Sequence, residues 1–460
     1  MKICFIACFY KTIFFKSIAN QLEEKGHKVF WISTSIKWSK YLIKNGTNAG
    51  RILRLKNSSV KEQLDAETLS LIYQIEQKSE HTFKQVYWMD RIQSKKSWKR
   101  VKNLFGYIVS EVKDFLEKNK IRIVFGEATA AHEILTSMTV RAIGGYSFVP
   151  STIRIPAERF AFFIGHLEKS FAQVRDSSWS IDQTVEFLKE YREKREKPYY
   201  LNMKDSKESY FAKSFFRKII GRLHDIYIEK NENFSQKTLY YQLFNEKKYL
   251  RPLNVWLIKL LITFRTIKKK GKYILFPLQV QPESSVDVIG IENSNQFETI
   301  KKISSILPSD YKLLVKEHPN AIGMRNPKYL NRIARLPGVV IVEPSCNTFD
   351  LFKYVDMVCS ISGTVCYEAA LLKKPSLTFT KLFFNQIPNS HYSYNPYCIS
   401  SFLKINHSEK DEVEALHKIL SNSHYGIISD PISYPECMSK KNIYRVSDAF
   451  HLLISNYSKK

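Results

Sequence analysis

Short apolar runs alternate with stretches of helical periodicity along most of the chain, and that alternation predicts an α/β protein. Lys2 to Cys8 and His27 to Ile32 read as strands, joined by a helix from about Phe15 to Lys25 that Gly26 ends. Val60 to Lys118 reads mostly as helices. Ile121 to Phe125 is then a buried strand that ends in Gly126-Glu127, with a helix following from about Thr129. From Gly271 the pattern restarts. Strands at 273–276, 311–315, 339–342, 355–359 and 376–379 alternate with helices near 294–306, 325–335, 347–353 and 364–372, so parallel strands with right-handed crossovers are expected.

His166 to Lys270 carries helical periodicity without the Gly/Ser composition of a flexible linker, and Asp411 to Asn456 is helical with a break near Ser433 to Pro435. The expected organisation is an N-terminal α/β lobe at 1–165, a basic helical insert at 166–270, a C-terminal α/β lobe at 271–400 and a helical tail at 401–460. There is no G-x-G-x-x-G in the first strand-to-helix turn, which argues against a dinucleotide site in the first lobe.

Composition changes this picture in one respect. With 44% hydrophobic and 25% charged residues the chain can build large cores, but its net charge of +27 is extreme. Tyr191 to Lys272 holds 21 Lys and Arg against 8 Asp and Glu, and a smaller cluster, Lys95, Lys96, Lys99, Arg100 and Lys102, surrounds Trp98. Such charge fits an acidic partner, whether anionic lipid, phosphorylated substrate or nucleic acid; it equally fits a solvated, lysine-rich surface. Seven cysteines without a C-x-x-C spacing make a structural zinc unexpected and fit a reducing cytosol. Lys11 and Lys16 interrupt the apolar N-terminus too early for a signal peptide, and no run of about 18 apolar residues occurs. A cytoplasmic protein is expected, at most peripheral on the inner face of the plasma membrane, where the insert would lie against the anionic surface.

The candidate chemistry sits at strand ends, where open α/β sheets bind ligands. The strand at 355–359 ends in Ser360-Ile361-Ser362-Gly363-Thr364 and turns directly into a helix, so backbone N–H groups and the positive helix end make either a phosphate seat or an ordinary N-cap. The strand at 311–315 ends in Lys316-Glu317-His318-Pro319, which displays a cation, a carboxylate and an imidazole, and the strand at 273–276 ends in Pro277-Leu278-Gln279 with Glu283 beyond. In the first lobe Glu127, taken to face an interdomain cleft, is a candidate acid or base, or else a charge that favours the following helix. Arg154-Ile155-Pro156 with Arg159 suits a bidentate carboxylate or phosphate contact, or an intrachain salt bridge.

The segments FPLQVQPE at 276–283, VKEHPN at 315–320 and SISGTVCYEAA at 360–370 resemble bacterial capsule and surface-polysaccharide biosynthesis proteins, similar in motif to the capsular Kdo transferases and polysialyltransferases. The resemblance implies a GT-B-like pair of Rossmann-like lobes and transfer of a sugar from a nucleotide-sugar, CMP- or UDP-linked, to a glycan or lipid-linked acceptor of capsule or lipopolysaccharide. It places His318, Ser362, Gly363 and Thr364 on the donor phosphates and Glu368 near the ribose. Lys316 and Ser360 fall in the same seat. Glu127 or Glu283 would deprotonate the acceptor, and His318 with Lys316 would stabilise the leaving phosphate without a metal. No other cofactor is implied. Two alternatives stay open: a UDP-N-acetylglucosamine 2-epimerase-like enzyme, with a similar fold, and a basic nucleic-acid-binding protein, although no specific nucleic-acid motif is visible.

Overall fold

The computed structural model describes residues 1–174, 179–195, 225, 227–236, 250–262, 264, 271–403 and 407–458. Much of the basic insert expected at 166–270 lies outside the described residues. Within that span the helices Ile181–Lys194 and Arg251–Leu261 are described.

The chain forms two compact units. The first comprises 1–176, 198–239 and 421–460, and the second 177–197 and 240–420. The first unit is built on a seven-stranded sheet of β1 (Lys2–Ile6), β2 (Lys28–Ser33), β3 (Ile52–Arg54), β4 (Ile123–Phe125), β5 (Tyr146–Thr152), β6 (Arg159–Ile164) and, from the end of the chain, β13 (His424–Tyr425). Their order is β13-β6-β5-β4-β1-β2-β3, parallel from β3 to β5 and antiparallel at β5–β6 and β6–β13. Ile3, Cys4, Phe5 and Ile6 are all at most 1% exposed, the signature of a strand covered on both faces.

One of those covers is the helix Lys440–Ser458. The Phe450 ring lies tilted 4.7 Å from Phe125 and edge-on 4.8 Å from Phe162, while Tyr457 meets Phe148 edge-on. The tail expected at 401–460 therefore divides: the helix Glu409–Ser421 lies almost wholly in the second unit, and the helix Lys440–Ser458 completes the core of the first.

The second unit holds a wholly parallel six-stranded sheet: β7 (Lys272–Pro277), β8 (Tyr311–Lys316), β9 (Val339–Val342), β10 (Met357–Ser360), β11 (Ser376–Thr378) and β12 (Ser390–Tyr392). Its order is β12-β11-β10-β7-β8-β9. The chain thus builds outward from β7 in one direction, returns to β10 beside β7, and builds outward in the other. The first sheet does the same with β1 and β4. A doubly wound sheet has its ligand crevice where the winding reverses, at the carboxyl ends of that central pair. Each unit has one such switch point.

Candidate functional site

At the second unit's switch point the bridging residue is Gln279, just past β7. Its Oε1 accepts from Ser360 Oγ and from the Ser362 amide, both at 3.0 Å, and its Nε2 donates to Ser362 Oγ at 3.0 Å. Gln296 clamps the Gln279 backbone from the other side, through N–H to Oε1 at 2.8 Å and Nε2 to the carbonyl at 3.0 Å. Ser360 Oγ also accepts from the Gly363 amide at 3.1 Å. The seat expected at 360–364 is consequently spent in part on internal bonds. Ser360 and Ser362 are 0% and 2% exposed and brace the turn, whereas Gly363 and Thr364 are half-buried and open the helix Thr364–Leu371. The first-turn amides of Thr364 and Val365 keep the positive helix end available to an anion.

One strand away, the end of β8 carries the Lys316-Glu317-His318 turn. Lys316 is 2% exposed and its ammonium donates to the Pro344 carbonyl at 3.0 Å, so it sits below the surface among carbonyls. Glu317 is 3% exposed, accepts from the His318 amide at 2.7 Å and pairs with Arg325. Burial pushes its carboxyl above the usual range despite the Arg325 guanidinium, and its second oxygen has no partner among the described residues. His318 Nδ1 accepts from the Asn320 amide at 3.1 Å. Burial, then the Lys316 and Arg325 charges, bring its imidazole down to about 4, so at neutral pH the ring is neutral. With Nδ1 occupied as an acceptor, the proton sits on Nε2. His318 is therefore a neutral hydrogen-bond donor, not the cation that stabilisation of a leaving phosphate by charge would call for.

Arg325 was not legible as a site residue. Its guanidinium ties Glu317 to the Gln279 carbonyl and lines a cavity of about 540 Å³ with Gln281, Asn295, Gln296 and Tyr329. The available signal was Asn326-Pro327 after it, a helix start with Asn326 as cap, within reach of the His-Pro turn. Glu368 is 6% exposed on the helix Thr364–Leu371. Glu283 stands on an exposed turn, where its carboxylate accepts from Ser285 Oγ at 3.1 Å and its amide donates to Asp287.

The first unit's switch point is bridged by charge. Glu127, past β4, accepts a bond from the Lys11 ammonium and one from the Cys8 thiol at 3.0 Å, both residues lying past β1. Burial alone would raise the Glu127 carboxyl, but Lys11 and the Cys8 bond outweigh it and hold the group below its ordinary range. It is a carboxylate at neutral pH. A cavity of about 990 Å³ opens on it, lined also by Trp38, Asp90, Arg91 and Asp430. Ligand atoms of Cys8, Glu127 and Glu133 lie within 4.8 Å of one another, a donor set able to hold a metal. Lys11 already supplies a cation there, and burial with the two carboxylates holds the Cys8 thiol well above its ordinary range, which opposes the thiolate a metal needs.

The two arginines expected at an acceptor or phosphate contact do otherwise. Arg159 is 0% exposed: its Nε donates to Ser423 Oγ at 2.7 Å, its Nη2 to the Ser423 carbonyl at 2.6 Å, and its plane lies 4.1 Å from the Tyr425 ring centre. It fastens β13 to β6. Arg154 pairs with Glu168, an intrachain salt bridge.

No curated protein matches the chain. Among solved structures, Thermosulfurimonas dismutans KpsC, described as a β-Kdo 2,7 transferase, is 12% identical, with 85% of this chain and 97% of that one covered and a TM-score of 0.35. The β-Kdo 2,4 transferase of the same KpsC is 13% identical over 72% and 87%, with a TM-score of 0.36. Methanocaldococcus jannaschii UDP-GlcNAc 2-epimerase is 12% identical over 91% and 98%, with a TM-score of 0.28. At these scores the likenesses carry no argument about chemistry. Among the described residues no helix is long and apolar enough to cross a membrane. Residues 258–387, which span β7 to β11 and every strand-end residue of the second switch point, match the family of capsule polysaccharide biosynthesis proteins, the family that the strand-end motifs resemble.

Proposed function

We propose that the protein is a glycosyltransferase that moves a sugar from a nucleotide-activated donor to a growing surface glycan, capsular polysaccharide or lipopolysaccharide. The observation that carries this is the coincidence of the capsule-biosynthesis match at 258–387 with the second unit's switch point. In this reading the Thr364 and Val365 amides and the His318 Nε2–H receive the donor diphosphate or monophosphate as neutral, preorganised donors. The amides and the Tyr329 ring around Arg325 suit the hydroxyls and base of a nucleoside. Glu127, held ionised by Lys11, accepts the acceptor's hydroxyl proton.

A thermal-shift panel of CMP, UDP, GDP and their sugar conjugates tests the donor assignment. A ligand at about 100 times its Kd stabilises by roughly 2.7 kcal/mol. Selective stabilisation by CMP points to a Kdo- or sialic-acid-type donor, and by UDP to a hexosamine-type donor. UDP-sugar interconversion without any acceptor would replace transfer by epimerisation, and silence from every nucleotide would overturn the reading.

We also infer contact with an anionic membrane surface through the helix Arg251–Leu261. Leu253, Trp256, Leu260 and Leu261 are 49–63% exposed along it, with Lys259 among them, an apolar face carrying an interfacial tryptophan. Sedimentation with phosphatidylglycerol vesicles should fall severalfold in a W256S/L260S variant; unchanged sedimentation would remove the membrane from the reading.

A further inference from the structure

The first unit has a second cavity, about 440 Å³, where the segment after Asn57 meets the start of the helix Trp98–Asn119. Four cations line it, Lys61, Lys96, Lys99 and Arg100, against one carboxylate, Glu62. Lys61 pairs with Asp65 at 3.2 Å and Lys96 donates to Gln93 Oε1 at 3.1 Å, but among the described residues Lys96, Lys99 and Arg100 enter no ion pair. Burial and the neighbouring Arg100 depress the Lys96 ammonium, a cost that an arriving anion would relieve. The helix start adds to this, because Ser97 caps it without a side-chain bond.

Features of the lining narrow the anion. No aromatic ring lines the cavity, so nothing there stacks on a nucleobase. None of the large exposed apolar side chains lines it either, so it has no rim to enter a bilayer. Its volume is several times that of an inorganic phosphate, and Asn57 and Gln63 stand among the cations as partners for hydroxyl groups. The turn that carries Lys96 is anchored: Asp90 accepts from the Gln93 amide at 2.9 Å, and Gln93 Nε2 donates to the Phe234 carbonyl at 2.7 Å. Arg91 and Ile92 of the same turn line the cavity that opens on Glu127. One short, fixed segment is thus a wall of both cavities.

We propose that this cavity binds an acidic oligosaccharide, gripping carboxylate-bearing sugars of a glycan whose end continues past the 90–97 turn toward Glu127. The continuation toward Glu127 rests on the transferase reading; the binding does not.

The test is a fluorescence-anisotropy titration of the full chain with labelled oligogalacturonate, in low and moderate salt, alongside a K96Q/K99Q/R100Q variant and a K99Q/R100Q variant confined to two exposed residues. The wild type should bind oligogalacturonate and ignore a neutral dextran oligomer. The triple variant should bind about tenfold more weakly and with a shallower salt dependence, the double variant less so, with both retaining the wild-type thermal midpoint and nucleotide shift. Equal binding by wild type and both variants would overturn the proposal, as would wild-type preference for tripolyphosphate, phosphatidylglycerol vesicles or the neutral oligomer. Wild type that binds oligogalacturonate but no nucleotide would leave this site standing and remove the transferase reading alone.

Discussion

Each unit has a switch point at the carboxyl ends of its central strand pair, and each joins the two strand ends by side-chain bonds. In the first unit the joint is ionic, Lys11 to Glu127 with Cys8 beside them. In the second it is neutral, Gln279 to Ser360 and Ser362, and the imidazole nearby is neutral too. An ionic joint leaves a proton acceptor whose charge is fixed at neutral pH. A neutral joint fixes the direction of backbone donors without adding charge, which suits a ligand that brings its own. The contrast teaches that the +27 net charge is not what equips the second switch point; the cations there, Lys316 and Arg325, are absorbed by carbonyls and by Glu317.

The sharpest way to break the comparison is to neutralise the charged joint. E127Q keeps the side-chain shape and should slow transfer by about 10²- to 10⁴-fold, the usual range for a lost general base, with nucleotide binding retained. H318A should slow transfer by about 10²-fold while weakening the nucleotide shift, because a donor to phosphate is removed. Its contribution should also be flat from pH 8 to 5, since the ring gains its proton only near pH 4. If the two variants behaved alike in nucleotide binding, the division of roles between the units would fail. The smaller effect belongs to Q279A. Removing the amide leaves Ser360 Oγ and the Ser362 amide without their acceptor in a buried place, a cost of about 2 kcal/mol. For a unit of this size that is a fall of ~5 °C in Tm, read by calorimetry, with a weakened nucleotide shift. An unchanged Tm would mean that the turn holds its shape without the joint.

The parallel strands of the second sheet were legible because strands covered on both faces are continuous apolar runs: 339–342 is matched to the residue, and the strand expected at 311–315 extends only to Lys316. β3, β12 and β13 were not, being short strands at sheet edges, and neither were β5 and β6, which flank the Arg154-Ile155-Pro156 turn. The strand-end polar residues could be read as a set, but not their protonation or exposure. Whether an imidazole is cationic depends on burial and on Arg325, whose approach the tertiary fold decides. Arg159 shows the same limit: Ser423, which takes its guanidinium, is 264 positions away. Helical periodicity over Asp411 to Asn456, broken near Ser433 to Pro435, likewise announced helix in the tail, but not the sheet that Lys440–Ser458 covers.

That last helix also sets an order of events during synthesis. Phe5, Phe125 and Phe162 leave the ribosome early, yet the side chain that seals them, Phe450, is added some tens of seconds later at ordinary elongation rates. Until then the earliest-made sheet has that face only partly covered, by Phe15 and its neighbours on the helix Lys11–Glu24, while the later-made second sheet already has every strand it needs. The unit begun first is the one finished last, and a stop codon shortly before residue 440 would strand it with Phe125 and Phe162 lacking the ring that packs on them.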